Sequence, residues 1–328
     1  MTKSVISLAL LGLSDFENDP LLQSITLQPR FELSAAFSCC YQKLDDFAKQ
    51  LKVVPMGSCR QLFGSQLVDG LIWNAEASDI RPEQFGLGKA AKHLLIRSEL
   101  IHSLTLERLL NLNVQAGNSQ TEILPELLHR WTPATLRLRE LIATQLGPIK
   151  QIIVNQQSQS GMTSSLFQIV DWLRMIVSQR MCIVSAKGSN SIFLEFERSD
   201  HQAVSCEVHL TGTDDEEATG SVETKSKLHQ FNLQCDAGEI QIHSASKLCW
   251  QTDSGWQEET LEHERTAEQV MLDLFGRRIA GGIVPVPDLM EVLRTRRILA
   301  AIEESRLAGK AIQVDETSLP VNDGEFCI

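Results

Sequence analysis

Several things are missing from this chain of 328 residues, and each absence closes a class of function. No stretch of about 18 apolar residues occurs, the length that a membrane-crossing helix requires. No transmembrane helix and no membrane partner are therefore expected. There is no basic surplus either: 30 Lys and Arg stand against 42 Asp and Glu, a formal net charge of -12. Such a surface repels phosphate backbones and anionic lipid, so nucleic acid is not an expected partner. The densest basic run, Arg294, Arg296 and Arg297, falls on an amphipathic helical pattern and reads as a solvated helix face. The chain has eight cysteines (Cys39, Cys40, Cys59, Cys182, Cys206, Cys235, Cys249 and Cys327), but no C-x-x-C pair and no His at zinc spacing from a Cys pair. They read as thiols of a reducing compartment, which implies a cytoplasmic location and no metal. Lys3 and the apolar run from Val5 to Leu13 imitate a signal peptide. One positive charge, no small-residue cleavage site and an acidic stretch directly after the run argue against it. A buried first strand accounts for the run better. No internal repeat is found.

What is present is ordinary for a globular protein: 43% apolar and 22% charged residues exclude a disordered or collagen-like chain. The length suits two domains rather than one core. In the first third, strand-like runs alternate with helix-like runs. Strands are expected at Val5 to Leu11, Phe31 to Phe37, Val53 to Met56, Val68 to Trp73 and His93 to Ile96. Helices are expected at Pro20 to Leu27, Leu44 to Leu51, around Gln61 to Phe63, at Arg81 to Ala91 and at Leu104 to Leu112. Asp19 is placed to cap the first of them, with Pro20 at its first position. This alternation predicts a parallel sheet with helices on both faces.

The pattern changes near residue 120. Ile123 to Leu128 reads as a last strand, and Pro133 to Thr144 as a helix stopped by Gly147-Pro148. Leu166 to Val177 reads as an amphipathic helix. Ile192 to Phe196, Val204 to Leu210, Leu228 to Leu233, Glu239 to His243 and Lys247 to Gln251 alternate apolar and polar residues, which predicts an antiparallel sheet with one covered face. Asp214 to Glu217 reads as a solvated acidic turn. Helices at Ala267 to Ile279 and Pro287 to Leu307 close the chain. The expected division is an N-terminal Rossmann-type domain over 1–122, a C-terminal α+β domain with an open, mainly antiparallel sheet over 123–316, and a loose tail over 317–328.

A dinucleotide site needs glycines in the turn after the first strand, so that the pyrophosphate can approach the backbone at a helix N-terminus. The turn here is Gly12-Leu13-Ser14-Asp15-Phe16-Glu17. Only the first glycine is present. Ser14 holds the second position and Glu17 the last. Asp15, Glu17 and Asp19 cluster at the positive end of the first helix, where a carboxylate satisfies the helix dipole by itself, worth about 0.3–1 kcal/mol. A diphosphate beside them is repelled, by roughly 4 kcal/mol per charge pair about 4 Å apart at an effective dielectric near 20. The second strand ends in Phe37-Ser38-Cys39-Cys40-Tyr41, with neither the acid that takes an NAD ribose nor the Arg that suits NADP. Gly12, Ser14, Ser38 and Asn74 are the remaining candidates for cofactor contact.

The order of these pieces resembles the Gfo/Idh/MocA oxidoreductase family, the relatives of glucose–fructose oxidoreductase and inositol dehydrogenase. Ala91-Lys92-His93-Leu94-Leu95-Ile96-Arg97-Ser98-Glu99 is similar to its A/G-K-H-V-L-x-E-K-P segment, and Val68-Asp69-Gly70-Leu71-Ile72 to the preceding strand. Arg130-Trp131-Thr132-Pro133 resembles the entry to its second domain, and Val170-Asp171-Trp172-Leu173-Arg174 the helix with its D-x-x-x-H pair. Asp288 to Val314 resembles its last helix and strand. The resemblance covers nearly the whole chain. It implies NAD or NADP, a sugar or polyol-like substrate in the interdomain cleft, and a dimer through the open sheet. It also implies an acid–base set of Lys, Asp and His that deprotonates a hydroxyl during hydride transfer.

The chain departs from that pattern at the chemistry. The Lys position holds Ser98 and the Pro position Glu99; the Asp and His positions hold Ser164 and Gln168. Neither Ser nor Gln exchanges a proton near neutral pH. Arg97 is the one stand-in, either facing an anionic ligand or paired with Glu99. Lys92 is expected at the far end of its strand, His129 near the domain junction, and His102 exposed just ahead of a helix. Three readings stand side by side. The first is a catalytically degenerate protein acting by ligand or partner binding. The second is an active NAD(P)-dependent oxidoreductase with an unusual site, and the third a structural or oligomerisation module whose cleft is filled by Phe16, Trp73 and Phe167.

Overall fold

The structure is a computed structural model and describes residues 5–81, 93–118, 121–158, 162–178, 180–188, 190–197, 203–212 and 230–314. The chain divides into two compact units, one of residues 1–131 with 265–293 and one of 132–264 with 294–328.

The first unit opens with β1 (Ile6–Leu11), buried along its whole length. A central parallel strand is covered on both faces, so its sequence reads as one apolar run. Then follow α1 (Pro20–Leu27), β2 (Phe31–Phe37), α2 (Tyr41–Leu51), β3 (Val54–Pro55), α3 (Cys59–Gly64), β4 (Gly70–Trp73), β5 (His93–Ile96), α4 (Ser98–Ser103), α5 (Leu106–Gly117) and β6 (Ile123–Pro125). Among the described residues the sheet runs β3-β2-β1-β4-β5-β6, and every pair is parallel. The helix starts carry the expected side chains: Asp19 accepts from the Leu21 and Leu22 amides, Ser58 from Gln61 and Thr105 from Arg108.

Two expectations change here. His102 lies inside α4, half-buried, rather than exposed ahead of a helix. The chain turns from β5 directly into this six-residue helix, which is too short to show a helical period. The strand expected to reach Leu128 stops at Pro125, and a 3-10 turn covers Leu128–Trp131. Proline has no N–H to continue a ladder. The helix expected over Arg81 to Ala91 lies outside the described residues beyond Arg81.

The second unit begins with α6 (Pro133–Leu141), drawn out into a π turn over Ile142–Leu146 and ended by Gly147 at φ 69. There follow β7 (Ile149–Ser158), α7 (Met162–Val177), β8 (Arg180–Lys187), β9 (Ser191–Glu197), β10 (Ala203–Gly212), β11 (Gln230–Cys235), β12 (Gly238–Ser244), β13 (Lys247–Thr252) and β14 (Gly255–Thr260). Helices α8 (Ala267–Ile279) and α9 (Leu289–Ala308) and strand β15 (Ile312–Gln313) complete the described chain. Among the described residues the sheet runs β14-β13-β12-β11-β7-β10-β9-β8-β15, antiparallel except for the parallel pair β7/β10. The sheet is therefore mixed and mainly antiparallel. Strands β7, β8 and β14 add to those expected from the sequence. The acidic turn over 214–217 and the tail over 317–328 lie outside the described residues.

One face of this sheet is apolar, with Leu194, Phe196, Cys206, Val208, Ile152, Val154, Leu233 and Ile240 buried in one cluster with residues of α6, α7 and α9. Trp172 of α7 sits in it, its ring 4.3 Å from Phe231 and its indole N–H donating to Thr135 Oγ1 at 2.9 Å. The opposite face is polar and is described below.

Helix α8 belongs to the first unit. Met271, Leu272 and Phe275 join the core of β1, β2 and α1. The approach is close because Gly276 has no side chain: a Cβ there would lie 2.6 Å from the Phe31 ring. Gly276→Val is expected to destabilise the first unit by about 1–3 kcal/mol, the range for overpacking a filled core. Urea unfolding followed by circular dichroism measures it; an unchanged midpoint would refute the tight packing of α8 on β2.

Candidate functional site

A doubly wound sheet binds ligands at the carboxyl ends of its strands, at the point where the strand order reverses. In this sheet that point lies between β1 and β4. Gly12, Ser14, Ser38 and Asn74 all fall on that edge, and the structure shows what each one meets.

Gly12 has φ +87, and an added Cβ would lie 2.9 Å from both Cβ and N of Ala77. The glycine thus makes room for the chain's own 3-10 turn, Ala75–Ala77, which follows β4. Asn74, 4% exposed, fastens that turn: its N–H donates to Leu11 O at 2.9 Å and its Nδ2 to Gly12 O at 2.7 Å. Trp73 is fully buried, and its indole N–H donates to Ala77 O at 2.9 Å. Arg108 lies over the Trp73 ring at 5.4 Å and donates to Ser78 O and Ile80 O at 2.7 and 2.6 Å.

The turn carries Glu76. Its Oε2 accepts from the Leu13 N–H and its Oε1 from the Ser38 hydroxyl, the latter at 2.5 Å. Ser38 Oγ in turn accepts from the Cys40 N–H at 2.9 Å. Ser14 Oγ is buried with no hydrogen-bond partner among the described residues. Asp15 caps a 3-10 turn, Phe16–Asn18, accepting from the Glu17 N–H at 3.2 Å and Asn18 Nδ2 at 2.7 Å.

Asp19, at 6% exposure, joins the helix start to a second network. Its Oδ1 accepts from the α1 amides of Leu21 and Leu22 at 3.0 and 3.3 Å, and its Oδ2 takes Arg97 Nη1 at 2.7 Å. Arg97 Nε donates at 3.0 Å to Oε2 of Glu126, which also accepts the Ser98 N–H at 2.7 Å. Arg97 therefore pairs with Asp19 and Glu126; the expected partner, Glu99, is exposed. A buried guanidinium needs carboxylates at hydrogen-bond distance, and the ends of β5 and β6 bring Glu126 beside it. Glu126 is 1% exposed, and its Oε1 has no partner among the described residues. Burial pushes its carboxyl above the ordinary range, and Arg97 and the Ser98 N–H pull it only part of the way back.

The other family positions lie elsewhere. Ser98 is half-buried at the start of α4. Gln168 is half-buried on α7; Ser164 is on the same helix, its side chain outside the described part. Asp171, 1% exposed, accepts from Thr295 Oγ1 at 3.4 Å, and Thr295 Oγ1 accepts from Arg174 at 3.3 Å. Phe167 is buried on α7 and Phe16 half-buried. His129 is half-buried, and its neighbour Arg130 pairs with Glu291 at 3.0 Å. Lys92 lies outside the described residues. Among the described residues, no group of three or more His, Cys, Asp and Glu side chains is placed to hold a metal ion, and no helix is long and apolar enough to cross a membrane.

Sequence reading missed Glu76 and Glu126. Glu126 left one signal: a carboxylate inside the apolar run Ile-Leu-Pro-Glu-Leu-Leu has to be buried beside a partner. Glu76 left none. The residues at this edge do not fit a dinucleotide. The amide and hydroxyl that would meet its phosphates and ribose are held by Glu76, and the α1 amides by Asp19.

No protein-family model and no curated protein sequence matches the chain. Solved structures do. An aldose–aldose oxidoreductase from Caulobacter crescentus complexed with glycerol superposes with TM-score 0.76 at 13% identity, over 94% of this chain and 100% of that one. A levoglucosan dehydrogenase in complex with NADH and L-sorbose gives 0.74 at 12%, over 95% and 100%. A super-repressor mutant of Gal80p from Saccharomyces cerevisiae gives 0.74 at 13%, over 94% and 98%. The chain thus has the fold of the Gfo/Idh/MocA-type oxidoreductases. At these identities the likeness is one of fold.

The ion network makes two predictions. Glu126 titrates above its ordinary value of 4.5 in the folded chain. The stability this provides is complete below that value and is lost as pH rises through the raised one. Glu126→Gln keeps an acceptor for Arg97 and Ser98, so its melting temperature relative to wild type is expected to climb from pH 4.5 upward; a flat difference would refute the assignment. Arg97→Met strands two buried carboxylates and is expected to cost roughly 3–5 kcal/mol at neutral pH, read by denaturant unfolding.

Proposed function

We propose that this chain acts by binding, as a regulatory or sensing protein on an oxidoreductase frame, and not by hydride transfer. The observation that carries the reading is the Asp19–Arg97–Glu126 network. Arg97 is the residue at the motif's first position and the one stand-in for its Lys. A guanidinium held between two buried carboxylates does not release its proton, so it cannot serve as the base for a substrate hydroxyl. Ser98 and Gln168 add no acid or base. The fold is neutral on the point, since it is shared by an aldose–aldose oxidoreductase and by a repressor protein, Gal80p.

The partner we propose is a second copy, held on the polar face of the nine-stranded sheet. One cross-strand row there runs Trp256, Gln251, Glu239, Gln234, Gln151, Ser205, Glu195, Ile183. Trp256 is 52% exposed and Ile183 37%. Amide side chains both donate and accept, so such a row can face its own copy across a two-fold axis. Nine strands span about 38 Å at their usual spacing, wide enough for an interface of standard size. A cytoplasmic setting follows from the thiol usage.

The deciding measurement is a titration of the purified protein with NADH and NADPH, followed by fluorescence and heat. No binding is expected at about 1 mM cofactor, whereas a dissociation constant below about 100 µM, roughly 5.5 kcal/mol, would favour the alternative of an active NAD(P)-dependent enzyme on a sugar or polyol. Sedimentation velocity of wild type and Trp256→Arg tests the second copy: a dimer that dissociates in the variant is expected, and a wild-type monomer refutes it.

A further inference from the structure

We infer that Glu76 is a built-in anion, seated where the switch point of the parallel sheet would otherwise take the phosphate of a nucleotide, and that removing its carboxylate uncovers a latent nucleoside-diphosphate site. The inference rests on the reading that the wild-type chain holds no dinucleotide, and it adds which residue excludes it.

Two donors define the seat. The Leu13 N–H belongs to the turn after β1, which in a doubly wound sheet is the turn that offers amides to phosphate. The Ser38 hydroxyl stands at the end of β2, where a ribose is ordinarily recognised. Glu76 takes both, one carboxylate oxygen to each. One carboxylate thus holds both the phosphate-side amide and the ribose-side hydroxyl.

The bridge is preorganised. Glu76 sits on the 3-10 turn that fills the space beside Gly12. That turn is held by Asn74 Nδ2 on Gly12 O, by Trp73 Nε1 on Ala77 O and by Arg108 on Ser78 O and Ile80 O. Because the turn is fixed, an internal carboxylate competes with a free anion at a high effective concentration. The retained Gly12 is explained on the same terms. It is needed for the approach of Ala77, and that approach brings Glu76 into reach.

Glu76 is nevertheless an exposed residue, so its loss does not open a core. Truncating it frees the Leu13 amide and the Ser38 hydroxyl while the Asn74 and Trp73 fastenings remain. The ligand class for the freed pair is a nucleoside diphosphate, which supplies a phosphate for the amide and a ribose for the hydroxyl.

The test uses the full chain, wild type and the variants Glu76→Ala and Glu76→Gln, titrated calorimetrically with ADP, and hydrogen exchange at the Leu13 amide. Melting temperatures of the variants close to wild type establish that they are folded. Glu76→Ala is expected to bind ADP at least about tenfold more tightly than wild type, Glu76→Gln to gain less because it keeps an acceptor, and the Leu13 amide to exchange faster in Glu76→Ala. No gain in either variant, or an unchanged Leu13 amide, overturns the inference and leaves the proposed function standing. Wild-type binding of ADP as tight as that of Glu76→Ala also overturns it, while wild-type binding of NADH overturns the proposed function itself.

Discussion

A guanidinium that cannot shed its proton has been folded into the first unit, and much of that unit's edge is arranged around the need to neutralise it. Arg97 is 9% exposed, Asp19 6% and Glu126 1%. A charge so far from water is tolerated only with opposite charge in contact. Arg97 therefore ties the start of α1, through Asp19, to the end of β6, through Glu126. Glu126 also takes the Ser98 N–H and so fixes the start of α4. One cation thereby fixes three segments that the sheet alone would only bring near one another. Burial holds the titration of Glu126 above the ordinary range, against the pull of Arg97 and of the Ser98 N–H.

The same edge shows how the donors of a nucleotide-binding frame can be met from within the chain. Positive helix ends and free amides need an anion, but nothing requires that the anion come from outside. In this chain Asp19 serves the α1 amides, Asp15 the short turn before them, and Glu76 the Leu13 amide. The donors are satisfied as a phosphate would satisfy them, and the backbone keeps its shape. Gly12 is retained for a packing reason, the approach of Ala77. A glycine in that turn is therefore evidence of a close approach, not of the identity of what approaches. In the second unit the demands are different. The large sheet has one apolar face filled by helices and one face of amides, carboxylates and hydroxyls. Its buried apolar cluster lies on the first face.

Local chemistry and period were determined by the sequence alone. The run from Ile6 to Leu11, the Asp19 cap with Pro20, the apolar alternation of β9 to β13 and the alternation of strands with helices in the first third were all legible, because each depends on neighbours within a turn or two. So was the lack of the second and third glycines in the turn after β1. Strands β7, β8 and β14 were not legible. Ile-Lys-Gln-Ile-Ile-Val-Asn-Gln-Gln-Ser has too many amides to read as a strand, and β7 is held by β10 and β11 on either side. Helix α4 was too short to show a period. Only the tertiary structure decided the partners of Arg97, one 78 residues upstream and one 29 downstream, and the contact of Glu76 with Leu13, 63 residues away. Such pairings depend on the order of strands across the sheet, and a carboxylate carries no mark in the sequence of the distant donor to which the fold will deliver it.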